Sequence, residues 1–119
     1  MRLVLLLALL GPGCVAAQGV DAAPASSGIE APTQERQKAL VRMVRQDCGA
    51  CHGMKLTGGL GPPLTPQALA ERPLEAVLAT TLHGRPGTPM PAWKTMLSEA
   101  DALWIARQLQ AGFPAEAAR

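Results

Sequence analysis

Apolar positions recur at helical spacing in three parts of the chain, and the first part follows Thr33, which can cap a helix. Leu40, Met43 and Val44 are spaced as on one buried face of a helix over residues 34–47. The basic residues of this segment fall on the opposite face, where we expect them to be solvated: Lys38, Arg42 and Arg45. The pattern therefore predicts an amphipathic helix at the start of the folded region.

A second helix is predicted between Pro73 and Gly84, which are start and stop signals. Upstream, Thr65 followed by Pro66 is a capping residue with proline at the first helical position, which predicts another helix start. The apolar residues between Pro73 and Gly84 lie on one side of the second helix: Leu74, Val77, Leu78 and Leu82.

The third helix is predicted to begin at Ser98, because Asp101 three residues later completes a capping-box pattern. It runs to about Ala111 and stops at Gly112. Its predicted buried face consists of Ala102, Ile105, Ala106 and Leu109.

Two segments, residues 49–63 and 84–91, are dense in glycine and proline and are predicted to be loops. No stretch alternates between apolar and polar residues as a strand would. The pattern therefore predicts an all-α fold, in which three to five short helices are joined by rigid loops.

The beginning of the chain has the pattern of an export signal. An apolar run over residues 3–10 follows a basic residue and is too short to cross a bilayer as a helix. Small residues at 15–17 fit a cleavage site after Ala17, so we expect residues 1–17 to be a signal peptide and the mature protein to be exported. A weaker alternative is a lipoprotein in which Cys14 is acylated.

Composition limits the organisation of the mature chain. Residues 18–32 are mostly Gly, Ala, Pro and Ser, which predicts a flexible linker before one domain over residues 33–119. A chain of 119 residues with a net charge of +2 excludes a two-domain enzyme and gives no reason to expect nucleic-acid or membrane binding, and we expect a monomer. With one Phe, two Trp and no Tyr, the core lacks bulk that a cofactor could supply.

Cys48, Cys51 and His52 form the C-x-x-C-H pattern of covalent haem attachment, in which two thiols bond the porphyrin vinyl groups and the imidazole binds iron. Two intervening residues let both sulfurs reach one edge of a planar macrocycle, and Gly49 is expected to let the backbone turn tightly. The predicted cofactor is therefore one haem c, held by two thioethers.

Other interpretations of these residues are weaker. A zinc site needs four ligands, and only His83 is left over. A thioredoxin-like pair needs a βαβ context that the pattern lacks, and a structural disulfide leaves His52 unexplained. A haem-storage module would hold its haem without covalent bonds.

The second axial iron ligand is predicted to be Met90, because its flanking prolines restrict the segment that carries this flexible thioether. His83 is the alternative ligand. The other methionines are assigned elsewhere: Met43 to the core face of the first helix, Met54 to the wrong side of the ring, and Met96 to packing before the last helix.

Residues 33–112 resemble the small class I c-type cytochromes in the order helix, attachment motif, Gly-Pro segment, methionine loop and closing helix. The resemblance implies a class I cytochrome c fold around one haem, with the carbonyl of Pro62 accepting a hydrogen bond from His52. The chain departs from the family in its last helix, where Trp104 lies off the main apolar face and Gln108 stands where many relatives have an aromatic residue.

A narrower resemblance rests on residues 84–93, Gly-Arg-Pro-Gly-Thr-Pro-Met-Pro-Ala-Trp, which are similar to the NirC-type cytochromes encoded beside cytochrome cd nitrite reductases. It implies a periplasmic one-electron carrier of denitrification, not an enzyme. Such a carrier would act in haem d maturation or deliver electrons to the reductase. Its implied partners are nitrite reductase or a haem d biosynthesis dehydrogenase.

Two other functions remain open, a ligand-binding or peroxidatic haem protein with a labile methionine, and a general electron shuttle to an oxidase. No acid-base pair beyond His83 accompanies the motif, which counts against a peroxidase. Arg85 and Trp93 are candidates to contact the haem propionates. Lys55 and Lys94 are either solvated or placed to steer an acidic partner.

Overall fold

The computed structural model describes residues 28–116, and the regular elements within that range are all helical. In chain order they are α1 (Gln34–Met43), a π-helical turn (Val44–Cys48), α2 (Gly49–His52), α3 (Pro66–Leu69), α4 (Leu74–His83) and α5 (Glu99–Ala111). None of these helices is long and apolar enough to cross a membrane. The predicted all-α fold is confirmed, whereas the predicted signal peptide and residues 18–27 of the predicted linker lie outside the described residues.

Helix α1 begins where its capping residue predicts, because the hydroxyl of Thr33 accepts a hydrogen bond from the Arg36 amide at 3.3 Å. Leu40 and Val44 are 0% exposed and lie at the centre of the core. The helical path does not end at residue 47 as predicted, since the π-helical turn leads directly into α2.

The predicted loop over residues 49–63 is therefore wrong in its first part, because α2 is helical. Gly49 has helical dihedral angles, φ −60° and ψ −27°, and one glycine costs a helix only about 1 kcal/mol. Gly49 does not make a tight turn. Instead, a Cβ at this position would lie 3.3 Å from Met54 Cα, so the glycine permits close packing of the loop after α2.

Helix α5 has the predicted start and the predicted buried face. The Ser98 hydroxyl accepts from the Asp101 amide, and the Asp101 carboxylate accepts from the Ser98 amide, both at 3.1 Å. This capping box opens a helix that packs against α1, α3 and α4. Its buried residues are the four predicted ones together with the capping aspartate: Ala102, Ile105, Ala106, Leu109 and Asp101.

Helix α4 runs between the predicted signals, and Gly84 ends it with a φ of +67°. None of its residues is fully buried. It packs against α5, while Ala76, Val77, Thr80 and Thr81 border a cavity. Val77 is thus the one residue of its predicted apolar side that lines the cavity, and the others are half-buried.

Two arginines connect the first helical segment to the two ends of α5. Arg36 binds Asp101 with an Nη2–Oδ2 distance of 2.8 Å. Arg45 donates hydrogen bonds to the carbonyls of Phe113 at 2.9 Å and Pro114 at 2.7 Å, and its guanidinium lies 5.5 Å from the centre of the Phe113 ring. The prediction that Arg45 lies on a solvated face is wrong, because the chain after α5 packs over it.

Asp101→Asn should lower the free energy of unfolding by about 1–3 kcal/mol, the range for hydrogen bonds to charged groups. The low end is expected because the Arg36 side chain is 42% exposed to solvent. Hydrogen bonds from Arg36 hold the pKa of Asp101 below its ordinary value. The stabilisation is therefore present above the unfolded-state pKa of about 3.9 and is lost as pH falls through the folded-state value.

Urea denaturation at about pH 7 and about pH 3 tests this prediction, and wild-type stability should fall more between the two than that of Asp101→Asn. Glu35→Gln is the matched control, because Glu35 forms only an exposed pair with Lys38 at 3.8 Å. Its effect should stay within about 0.5 kcal/mol. Equal effects of the two variants would contradict the assignment.

Candidate functional site

A cavity of about 710 Å³ lies between the attachment motif, α4 and the loop after α4. This volume is within the range of small-molecule and cofactor sites. Its wall is largely apolar and includes Val44, Leu69, Val77, Leu97, Ile105 and Leu109. The cavity can therefore accept a large apolar group.

Cys48, Cys51 and His52 line this cavity, so two thiols and an imidazole are presented to one space. Both thiols are free, and burial raises the pKa of the Cys48 thiol to about 11. Thiol redox pairs instead need a lowered pKa. The donor set fits covalent attachment of haem and opposes a thioredoxin-like site.

A zinc site finds no support in the geometry. His83 is exposed and is not among the residues that line the cavity. Between residues 28 and 116, no group of three or more His, Cys, Asp or Glu side chains could hold a metal ion. A tetrahedral zinc site needs four such ligands.

The π-helical turn sets the direction in which the attachment motif faces. Each residue of a π-helix turns the chain by less than the 100° of an α-helix, so the turn rotates α2 relative to α1. Val44 remains in the core, while Cys51 and His52 face the cavity. Sequence reasoning missed this turn, because no residue of Val-Arg-Gln-Asp-Cys signals it.

The His52 ring is fixed by the loop after α2. Its Nδ1 lies 2.7 Å from the carbonyl oxygen of Pro62. Since a carbonyl can only accept, Nδ1 donates the proton and Nε2 keeps its lone pair for a metal. A Cβ at Gly61 would lie 2.7 Å from Cε1 and 2.8 Å from Nδ1 of the ring, so only glycine fits beside it.

Met90 lines the same cavity from the loop after α4. This loop is closed by its own hydrogen bonds: Arg85 N donates to Met90 O at 3.2 Å, and the Thr88 hydroxyl donates to Arg85 O at 2.7 Å. The Met90 amide in turn donates to the Thr88 hydroxyl at 3.3 Å. The Met90 thioether is therefore carried on a short loop that its own hydrogen bonds hold closed.

The other candidate iron ligands differ in whether they line the cavity. Met43 also lines the cavity, from the end of α1. Met54 and Met96 are 62% and 57% exposed and do not line it. His83, the alternative ligand in the sequence, likewise lies outside the wall.

Both candidates for contacting the propionates, Arg85 and Trp93, line the cavity, whereas Lys55 and Lys94 are exposed and do not. Sequence reasoning missed Arg72, which lines the cavity at the corner between α3 and α4. The Arg72 carbonyl accepts a hydrogen bond from Gln110 Nε2 at 2.7 Å. No local pattern signals this contact, because its partner lies 38 residues further along the chain.

Comparison with known proteins agrees with this geometry. The profile of the family described as cytochrome C oxidase, cbb3-type, subunit III matches residues 35–107. Cytochrome c55X of Stutzerimonas stutzeri is 50% identical over 84 residues, which cover 71% of this chain and 74% of that relative. Cytochrome c55X of Paracoccus denitrificans is 46% identical over 108 residues, which cover 91% and 92%.

Two solved structures are also similar. The c-type cytochrome NirC superposes with a TM-score of 0.67 and 53% sequence identity, covering 68% of this chain and 95% of that one. Dihydro-heme d1 dehydrogenase NirN in complex with DHE superposes with a TM-score of 0.55 and 36% identity. That match covers 58% of this chain but only 15% of NirN, so the likeness concerns a small part of the larger enzyme.

Gly61→Ala should displace the His52 ring, because the added Cβ would lie within 2.8 Å of two ring atoms. Overpacking of this kind costs about 1–3 kcal/mol of stability. In protein purified with its haem, we expect part of the low-spin ferric absorption spectrum to convert to a high-spin form. Gly28→Ala is the control, since nothing lies within 4 Å of a Cβ at Gly28. Identical spectra of the two variants would contradict this role of Gly61.

Proposed function

This chain belongs to the c-type cytochromes, in the family of the cbb3-type oxidase subunit III and cytochrome c55X, and from that premise we propose that it is a periplasmic one-electron carrier of the nitrite reductase system. The cofactor of the family is one covalently bound haem c. When bound, it supplies the one-electron couple of iron. We propose no substrate chemistry for this chain.

The proposed attachment uses the two thiols that line the cavity, Cys48 and Cys51, as thioether anchors. His52 would bind the iron through Nε2, since its Nδ1 is held by the Pro62 carbonyl. Met90 would supply the second iron ligand from the same cavity. Arg85 and Trp93, which also line the cavity, would contact the propionates.

The observation that carries the proposal is that an imidazole held by a backbone carbonyl and a methionine on a hydrogen-bonded loop line one cavity. If His52 and Met90 both bound the iron, an external ligand would first have to displace one of them. Thioether coordination also favours the ferrous state and raises the potential. The arrangement favours electron transfer over ligand binding.

A peroxidatic or gas-binding function fits the cavity less well. Such a site needs an acid-base group near the open iron face. In the part of the chain that the structure describes, His52 is the only histidine that lines the cavity. The remaining charged residues of the wall are all exposed: Asp47, Arg72 and Arg85.

The haem-containing protein should show the weak ferric sulfur-to-iron band near the red end of the spectrum and should not bind carbon monoxide when reduced. Met90→Ala should abolish the band, lower the potential and admit carbon monoxide, because the thioether is lost. Met96→Ala is the matched control, since Met96 is 57% exposed and lies outside the cavity. Rapid carbon monoxide binding by the wild type would contradict the carrier function.

Cleavage of the signal peptide and covalent attachment of haem are each tested by a separate measurement. We propose that the mature protein begins after Ala17, which N-terminal sequencing of periplasmic protein checks. Acidified solvent should leave the haem on the chain, since thioether bonds resist extraction. Extraction of free haem would overturn covalent attachment through Cys48 and Cys51.

The proposed partners are the enzymes of haem d chemistry, a dihydro-haem d1 dehydrogenase or the haem d nitrite reductase. The likeness to a part of NirN supports this choice, because that part and this chain share 36% identity in superposed structure. A general shuttle to an oxidase is the competing function. The direction in which electrons flow then depends on the partner, either from the dehydrogenase or to the reductase.

Basic side chains near the cavity support docking to an acidic partner. Arg72 and Arg85 are exposed and line the cavity, and Lys94 is exposed immediately after Trp93. Positive charge around the site of electron exchange would accelerate encounter with a negatively charged surface.

In stopped-flow mixing, the haem-containing protein should exchange electrons faster with the haem d nitrite reductase or the dihydro-haem d1 dehydrogenase than with a terminal oxidase. The rate should fall as salt concentration rises, since docking is steered by charge. Lys94→Gln should lower it by at least about twofold, whereas Lys38→Gln on α1 should not. A faster reaction with the oxidase would favour the general shuttle.

A further inference from the structure

The loop after α4, residues 84–91, folds back so that the backbone of Met90 and Pro91 lies against its first residue, Gly84. We call this place the crossing. Gly84 ends α4 with a φ of +67°. A Cβ placed there would lie 2.6 Å from the carbonyl oxygen of Met90 and 2.6 Å from the carbonyl carbon of Pro91. Such distances are well inside van der Waals contact, and the atoms concerned are backbone atoms rather than the ends of flexible side chains. Only a residue without a Cβ therefore fits at this crossing.

Hydrogen bonds hold the end of the loop and the residues after it against the end of α4. Arg85 N donates to Met90 O at 3.2 Å on the loop side of the crossing. Beyond it, Trp93 N donates to Thr81 O at 3.3 Å and Lys94 N donates to Leu82 O at 3.1 Å. The last carbonyls of α4 are thus satisfied by the chain that has just passed Met90, which leaves that chain little freedom to move away.

We propose that Gly84 is the positioning residue for Met90, because its missing side chain lets the backbone of Met90 and Pro91 lie against the end of α4. The inference rests on the proposed role of Met90 as an iron ligand. A methyl group at position 84 requires a shift of about 0.8 Å, the difference between 2.6 Å and the 3.4 Å of ordinary contact. The shift falls on the residue whose sulfur must reach the cavity.

The same loop contains its own control. Gly87 also has a positive φ, +78°, but nothing lies within 4 Å of a Cβ at this position. Gly84→Ala and Gly87→Ala both place alanine at a positive φ, whereas only the first places an atom against Met90. With a ψ of −163°, Gly84 also lies in a backbone region that is essentially open to glycine alone. Gly87→Ala therefore controls for a positive φ at an open position of the same loop, and a larger effect of Gly84→Ala reports the need for glycine where the chain passes Met90.

The test compares the haem-containing wild type with both variants. Gly84→Ala should move the equilibrium between bound and unbound methionine sulfur at least about tenfold toward the unbound form. We expect the ferric sulfur-to-iron band to weaken, the potential to fall and carbon monoxide to bind on reduction. Gly87→Ala should keep the wild-type spectrum, potential and inertness to carbon monoxide. Far-ultraviolet circular dichroism should show the wild-type helix content for both.

A second variant probes the crossing without adding an atom to it. Thr88→Val removes the hydroxyl that donates to Arg85 O and accepts from Met90 N, at nearly constant side-chain shape. It should admit carbon monoxide more than Gly87→Ala and less than Gly84→Ala.

The outcomes distinguish this inference from the assignment of Met90. If the wild type itself lacks the sulfur-to-iron band, the proposed ligand is wrong. If the wild type has the band and Gly84→Ala retains it fully, Met90 is the ligand but Gly84 does not position it. If Gly84→Ala alone yields no haem-containing protein, the requirement for glycine lies in folding and the positioning role is overturned.

Discussion

The packing of the first helical segment, α1 with its π-helical turn, against α5 is the constraint on which the position of the attachment motif depends. Leu40 and Val44 of this segment are fully buried, and Arg36 and Arg45 connect it to the two ends of α5. The attachment motif continues the same helical path, so the packing of that path against α5 determines the direction in which the motif faces. By contrast, α4 has no fully buried residue and borders the cavity, so we expect a bound cofactor to complete the packing of that helix.

Both proposed iron ligands are positioned by backbone contacts. Gly61 lies against the His52 ring while the Pro62 carbonyl binds its Nδ1. Gly84 lies against the carbonyl group of Met90. Because a backbone contact has no rotamer freedom, it fixes the His52 ring and the backbone from which the Met90 side chain extends. Such rigidity would limit rearrangement on a change of iron charge, which suits the proposed electron carrier.

The features that the sequence predicted are those that local chemistry determines. The caps at Thr33 and Ser98 and the buried face of α5 follow from residues within one helix. The attachment motif and the methionine between two prolines are likewise compact patterns. The features that were missed join residues far apart: Arg36 and Asp101 are separated by 65 positions, and Arg45 and Pro114 by 69. The helical state of Gly49 was missed because composition alone marked that segment as a loop.

A second set of contacts joins α5 and the segment after it to the first helical segment. Trp104, which lies off the main apolar face, meets Phe113 edge-on at 6.2 Å, and Phe113 in turn lies against Arg45. These three side chains are half-buried and do not line the cavity. Exposed residues such as Lys55 and Lys94 can therefore vary with the partner without disturbing the ligand positions, since neither packs in the core. In the proposed carrier, the exposed surface would select the partner, while the core and the two glycine contacts would keep the ligand residues in place.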